Sequence, residues 1–289
     1  MTDRPASALV TGASTGIGWG TVKVLMAHGW RVFGSVRDAG TGERLKAEFG
    51  AGFTPLVFDT TDRVAVFKAC EQVRAILARD GETLAGLVNN AGIAVPGLLL
   101  LMRPDEVQHQ IDVNVMGTLN VTQAFAPLLG ADPAFTGQPG RIVMMSSVGG
   151  TSATPFLGAY NTSKFALEGM SEALRRELMR YGVDVLVIAP GPVKTPIWDK
   201  TGVLDEPRYS EGPFAGPVAK MKAFVRDSAQ NGLDPEAIGE AVFRALTDPG
   251  PPVRRVITPT PVYHFLRSHL PKRLADRIIA KRLGIGRDG

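Results

Sequence analysis

Ala6-Ser7-Ala8-Leu9-Val10-Thr11-Gly12-Ala13-Ser14-Thr15-Gly16-Ile17-Gly18 is the stretch whose reading decides the fold. Residues 6–11 make an apolar run of strand length, three glycines follow, and a helical pattern then continues to His28. Strand, glycine-rich turn and helix in immediate succession form the opening βα unit of a parallel sheet. Gly12 permits the tight turn, Gly16 lets the backbone approach a pyrophosphate, and Gly18 allows the helix to pack closely on the sheet. Ser14, Thr15 and Ile17 complete the turn, and the helix N-terminus presents its free N–H groups to negative charge. The spacing is G-x-x-x-G-x-G rather than G-x-G-x-x-G. A glycine-rich turn alone is more often just a turn. Its place between the first strand and a helix makes this one a candidate dinucleotide site.

Further strands are expected at 31–36, 54–58, 84–88, 141–146, 183–189 and 253–257, with helices between them. The helices include one beginning at Asp62, one over 104–129, one over 158–181 and one opened by Asp234-Pro235 as N-cap and first residue. This alternation predicts a single doubly wound, Rossmann-type α/β sheet with helices on both faces. Residues 1–259 are expected to form one dinucleotide-binding and catalytic domain. Within it, 196–232 is rich in Gly and Pro and is expected to be an irregular lid over an apolar pocket. Residues 260–289 read as a basic amphipathic tail.

Composition supports a large core without staples: 44% of the 289 residues are hydrophobic and 21% charged. Cys70 is the one cysteine, so no internal disulfide is available, and it suits a buried position in a protein of a reducing compartment. No targeting segment or membrane-spanning run is visible, which points to a cytoplasmic protein. The four histidines have no metal-ligand spacing, and no metal is expected. Net charge is +4, yet nine Lys/Arg and only two Asp/Glu fall between Arg254 and Gly289. The basic character therefore belongs to the tail, which argues against nucleic-acid binding by the body.

In an open α/β sheet, ligands meet the chain at the carboxyl ends of the strands. At the end of the second strand an acid would bind the ribose hydroxyls of NAD, but this chain has Val36 followed by Arg37. A guanidinium suits a 2′-phosphate. That favours NADP(H), with NAD(H) as the alternative and Asp38 as a neighbour able to blunt the charge. Asp59 ends the third strand and is placed for the adenine amino group. Asn90, Ala91 and Gly92 end the fourth, and Pro190, Gly191, Val193 and Thr195 follow the sixth.

Tyr160 and Lys164 are four residues apart, on one face of the expected helix. A phenol titrates near pH ~10, and a lysine ammonium beside it favours the phenolate. Ser147 ends the fifth strand, where its hydroxyl can reach the same reacting oxygen. Asn114 lies among Ile111, Val113 and Val115, a setting that suits either a satisfied core amide or a helix distorted beside a site.

Taken together, Thr11-Gly12-xxx-Gly16-x-Gly18, Asn89-Asn90-Ala91-Gly92, Asn114, Ser147, Tyr160-xxx-Lys164 and Pro190-Gly191 resemble the short-chain dehydrogenase/reductase superfamily, over about residues 6–257. The wording around Tyr160 and Thr195 looks most like its hydroxysteroid and retinol dehydrogenase-like members. The resemblance implies hydride transfer between a nicotinamide cofactor and a carbonyl or alcohol. It implies Tyr160 as general acid/base, Lys164 as its partner and ribose ligand, Ser147 orienting the carbonyl, and Asn114 holding the water of a proton relay. It also implies a homodimer or homotetramer. Ile93, Ala94, Val148, Phe156, Leu157, Pro192, Ile197 and Trp198 are the expected pocket walls, suited to an apolar ketone, aldehyde or alcohol. A non-catalytic cofactor-sensing protein is disfavoured because Tyr160 and Lys164 are both present. In the tail, Leu270, Leu274 and Ile278 share one face, with Arg273, Arg277 and Lys281 on another. Such a helix suits an anionic membrane surface, its own domain or a partner subunit.

Overall fold

The computed structural model describes residues 6–286, without the side chains of 198–201, 203, 228–229, 263 and 267–269. The expected pocket residue Trp198 lies outside the described side chains. Apolar runs buried at every position, such as Ala8-Leu9-Val10 and Val185–Ile188, fit only a sheet covered on both faces. Seven strands form that sheet: β1 Ser7–Val10, β2 Arg31–Val36, β3 Phe53–Val57, β4 Leu84–Asn89, β5 Arg141–Met145, β6 Asp184–Pro190 and β7 Arg254–Ile257. All pair in parallel, in the order β3-β2-β1-β4-β5-β6-β7. The order reverses between β1 and β4, which opens a crevice at the carboxyl edge.

Each face of the sheet has its own core. On one, α3 (Arg63–Asp80), α5 (Gly117–Phe125) and α6 (Gly158–Leu178) cover Leu9, Phe33, Leu87, Ile142 and Val185. On the other, α1 (Gly16–Ala27), α2 (Ala39–Phe49) and α9 (Pro235–Thr247) cover Val10, Val32, Val88, Val143 and Leu186. Cys70 is buried in the first core and its thiol donates to Ala124 O at 3.0 Å. Burial pushes that thiol up to about 11. Asp62 caps α3 as expected, accepting from Ala65 N at 3.0 Å. Asp234 precedes α9 but makes no cap bond; its carboxylate accepts from Lys194 Nζ at 2.9 Å instead.

The expected helix over 104–129 is interrupted. It runs as α4 (Pro104–Ile111), one π-helical turn at Asp112–Met116, α5, and a 3-10 turn at Ala126–Leu129. The wide turn surrounds Asn114, where a single-turn π bulge re-aims a side chain.

Residues 196–232 are not irregular. They form a 3-10 stretch Pro196–Asp205, α7 (Pro207–Ser210), a short turn Gly212–Phe214 and α8 (Ala215–Asn231). The prolines that suggested a loop sit at helix starts, where a missing N–H costs nothing. Leu204, Tyr209, Val218, Met221 and Val225 from this lid share a third apolar core with Met102, Phe156 and Leu157. Arg208 fastens the lid to α4 through a two-pronged ion pair with Glu106, at 2.6 and 3.0 Å.

The tail forms α10 (Pro261–His269) and α11 (Lys272–Leu283), and neither is long and apolar enough to cross a membrane. Leu283 and Ile285 pack against the lid core, so the end of the tail rests on its own chain. Leu274 and Ile278 remain exposed, at 44% and 46%.

Gly20 and Gly239 let α1 and α9 approach closely. A Cβ at Gly20 would stand 2.6 Å from the Pro235 carbonyl carbon, and one at Gly239 would stand 2.8 Å from Gly20 O. Ala improves helix propensity by ~1 kcal/mol, but overpacking against backbone costs about 1–3 kcal/mol. We expect Gly20→Ala to lower stability by about 1–2 kcal/mol on balance. Urea unfolding checks this; an unchanged or raised midpoint contradicts the packing account.

Candidate active site

The turn after β1 is laced to its neighbours. Gly12, at φ +65°, donates its N–H to Ser35 Oγ on β2 at 2.9 Å. Asn90 Nδ2 donates to Thr11 O at 2.9 Å and Gly12 O at 3.2 Å, and Thr11 Oγ1 accepts the Asn90 and Ala91 N–H groups. A Cβ on Gly18 would lie 2.0 Å from Gly12 O, and one on Gly16 would lie 3.0 Å from Thr195 Cγ2. These positions leave room only for backbone. They fit the pyrophosphate of a dinucleotide laid across the start of α1.

The turn borders a cleft of about 420 Å³ along the carboxyl edge of the sheet. At one end Arg37 is exposed on the cleft wall beside buried Val36. The Asp38 carboxylate caps α2 through Thr41 N at 2.8 Å and Thr41 Oγ1 at 2.9 Å, so its hydrogen bonds are directed to Thr41 while its charge still attracts Arg37. Asp59 also lines the cleft and accepts from Thr61 N and Oγ1 at 2.8 and 2.7 Å.

At the other end are Ser147, Tyr160 and Lys164, each at least nine-tenths buried. Burial raises the Tyr160 phenol above its usual range, and a bond with the Ser147 hydroxyl pulls it back in part. Ser147 Oγ also accepts from Gly149 N at 3.0 Å. Lys164 Nζ donates to Met145 O at 2.8 Å and stands 5.8 Å from the centre of the Tyr160 ring. Burial lowers Lys164 to about 8, and the Glu168 carboxylate opposes that fall. The four-residue spacing predicts that Lys164 lowers the phenol. Here burial dominates at Tyr160, and the ammonium is engaged by a backbone carbonyl.

Asn114 is a satisfied amide held by a distorted helix, so both properties weighed from the sequence coexist. Its Oδ1 accepts from Ile93 N at 2.8 Å, and its Nδ2 donates to Ile93 O and Ser163 Oγ, each at 2.9 Å. It fixes the turn after β4 from behind and does not itself line the cleft. Gly92 keeps the space between Asn114 and Lys164 clear, since a Cβ there would come within 3.1 Å of Asn114 Oδ1 and 3.8 Å of Lys164 Nζ.

The cleft gathers Gly12, Ser14, Thr15, Gly16, Ile17, Asn90, Ala91, Pro190, Gly191, Val193 and Thr195 with the residues above, as the sequence suggested. Gly18 lies beneath the turn as a packing residue. Of the expected pocket walls, Ile93, Ala94 and Ile197 line the cleft, while Val148 and Pro192 do not. Phe156 and Leu157 are buried in the lid core instead. Phe156 is held there at φ +66°, and its carbonyl accepts from Gly97 N at 2.8 Å. Ser35, Thr60, His109, Val113, Met145 and Ser146 also line the cleft and are not among the site residues expected from the sequence. Ser35 and Ser146 were legible as polar residues at strand ends. His109 carries no local signal, because the orientation of α4 alone brings it to the cleft.

A family model described as short chain dehydrogenase matches residues 6–203. The chain belongs to the short-chain dehydrogenase family. It is 37% identical to an NADPH-dependent 3-dehydrocapnine reductase of Ornithobacterium rhinotracheale, with 96% of each protein covered. It is 30% identical to a 3-ketodihydrosphingosine reductase of Bacteroides thetaiotaomicron, with 92% of each covered. Among solved structures, a short-chain dehydrogenase from Streptomyces avermitilis superposes with a TM-score of 0.76 at 26% identity, covering both chains entirely. The protein is an NAD(P)-dependent oxidoreductase that interconverts carbonyl and alcohol.

Folding moves Lys164 from an ordinary 10.5 to about 8. Below pH ~8 the folded state therefore carries an ammonium that the unfolded chain holds more readily, a cost of up to about 3 kcal/mol. The cost fades between about 8 and 10.5, where the unfolded chain binds the extra proton and stability rises with pH. Lys164→Met is expected to raise the Tm at pH 7, and the gap should narrow as the pH rises to 10. Scanning calorimetry at several pH values checks both parts; a lower Tm at pH 7 contradicts the account.

Proposed function

We propose that this dehydrogenase reduces an apolar ketone with NADPH, using Tyr160 as the proton donor. The observation that carries the reading is one cleft with a buried Ser147–Tyr160–Lys164 cluster at one end and the exposed Arg37 guanidinium at the other. Gly12, Gly16, Asn90 and Thr195 would hold the dinucleotide, and Arg37 would take its 2′-phosphate. When bound, the cofactor supplies the hydride. Ser147 Oγ orients the substrate carbonyl, and Tyr160 gives its proton to the carbonyl oxygen. The phenolate left behind is buried, and the Lys164 ammonium on the same helix face compensates its charge. Asn114 acts from behind by holding Ile93 and the turn after β4. Ile93, Ala94, Val113, Met145 and Ile197 give the substrate an apolar wall. Support for reduction comes from the two relatives, one a reductase of a 3-dehydro compound and NADPH-dependent, the other a reductase of a 3-keto compound.

Nicotinamide fluorescence tests cofactor and chemistry together. Wild type should bind NADPH about ten- to a hundredfold more tightly than NADH, the worth of one charge-assisted contact. Arg37→Ala should lose that preference without weakening NADH. Tyr160→Phe should bind NADPH normally and lose turnover by at least ~10²-fold. Equal binding of NADH by wild type would favour an NAD-dependent alcohol dehydrogenase, and an active Tyr160→Phe would overturn the proton donor.

A second reading concerns the tail, as a peripheral contact with an anionic membrane. On α11, Leu274 and Ile278 are exposed beside the exposed cations Arg273, Arg277 and Lys281. Wild type should pellet with vesicles containing phosphatidylglycerol and less with neutral ones. Leu274→Glu with Ile278→Glu should abolish pelleting while sparing turnover of a water-soluble ketone. Equal pelleting by this variant would end the idea.

A further inference from the structure

Three consecutive residues at the carboxyl end of β5 are each held by a charged side chain. Lys164 Nζ donates to Met145 O at 2.8 Å, Ser146 Oγ donates to Glu168 Oε1 at 2.6 Å, and Arg254 Nη2 donates to Ser147 O at 3.4 Å. The three charges alternate in sign along a row. Lys164 and Glu168 are one turn apart on α6, and Arg254 Nε stands 3.1 Å from both Glu168 oxygens. Arg254 belongs to β7, on the far side of β6 from β5, so the row joins α6 to the edge of the sheet. The Glu168 side chain is only 18% exposed. Gly150 makes room for it: a Cβ there would lie 2.6 Å from Ser146 Oγ and 3.0 Å from Glu168 Cγ.

We propose that Glu168 is a positioning residue for the proton chemistry, which fixes the strand end through Ser146 and supports the charge of Lys164, while Arg254 moderates that support. The inference rests on the reading of Tyr160 and Lys164 given above. A carboxylate serving only to pair with Arg254 would not need a bond to the residue before Ser147, nor a place one turn from the buried lysine. The direction of its influence is clear: burial draws Lys164 down to about 8, and Glu168 is the charge that resists. The other groups around Lys164 are Tyr160 on its own helix, the neutral Asn114 across Gly92, and Arg254 beyond Glu168. His109, Asp59 and Arg37 also lie on the cleft wall.

The test is the pH dependence of kcat/KM for ketone reduction, from pH 6 to 10, in the full-length enzyme. Wild type, Glu168→Gln, Glu168→Asp and Arg254→Met are compared, with Tyr160→Phe as a control on the underlying reading. Removing the carboxylate lets Lys164 lose its proton sooner, so the alkaline limb of Glu168→Gln should move down by about one unit. Glu168→Asp keeps the charge and should restore most of that shift. Arg254→Met leaves the carboxylate less compensated, so its limb should move up. A general loosening of the strand end lowers activity at every pH and cannot shift the two limbs in opposite directions. Limbs that stay in place, or move together, overturn the proposal. If Glu168→Gln does not fold, the upward shift expected of Arg254→Met still gives the sign. An active Tyr160→Phe would instead overturn the reading on which the proposal stands.

Discussion

An ammonium taken out of water must be solvated by protein, and the site depends on how that is done for Lys164. The carbonyl of Met145, the last residue of β5, supplies one partner. Glu168 supplies the countercharge, held by Ser146 and Arg254 so that it does not swing to solvent. The lysine therefore fixes the relation between α6 and β5. Tyr160, one turn earlier, inherits its position from that relation. The same desolvation that makes the ammonium expensive keeps it fixed and brings its protonation into the range where enzymes work.

The opposite end of the cleft is governed by close approach rather than charge. Gly12, Gly16 and Gly18 leave no side chain where α1 meets the sheet, and Thr11, Ser35 and Asn90 stitch the bared backbone to β2 and β4. Those hydrogen bonds satisfy groups that a tight turn would otherwise leave unpaired. The parallel sheet brings both constructions to one edge, because every strand delivers its carboxyl end there.

Much of this was legible in the sequence. Uniformly apolar runs such as Ala8-Leu9-Val10 fix the buried strands, and the positions of Gly12, Ser147, Tyr160 and Lys164 relative to those strands fix the cleft. What was not legible depends on contacts between distant segments. Nothing local to 196–232 shows that Tyr209 and Met221 will share a core with Met102 and Ile285, so its prolines suggested a loop. Phe156 and Leu157 are expected as pocket walls, yet both are buried in the core shared with the lid, Phe156 in a left-handed conformation. Asp234 has the residue type and place of a cap, and Lys194, forty residues earlier, takes it instead. Glu168 reads as an ordinary helix-surface acid until β7 brings Arg254 beside it.

Cys70 has a consequence of a different kind. Its thiol is 1% exposed, donates to Ala124 O and is pushed up to about 11 by burial. A thiol in that state offers almost no thiolate at neutral pH and no path to a reagent. The native chain is thus chemically silent toward thiol-directed probes. A cysteine introduced on the lid or on α11 would be the sole reactive handle, and spectroscopic labels could follow these parts without first removing a native residue.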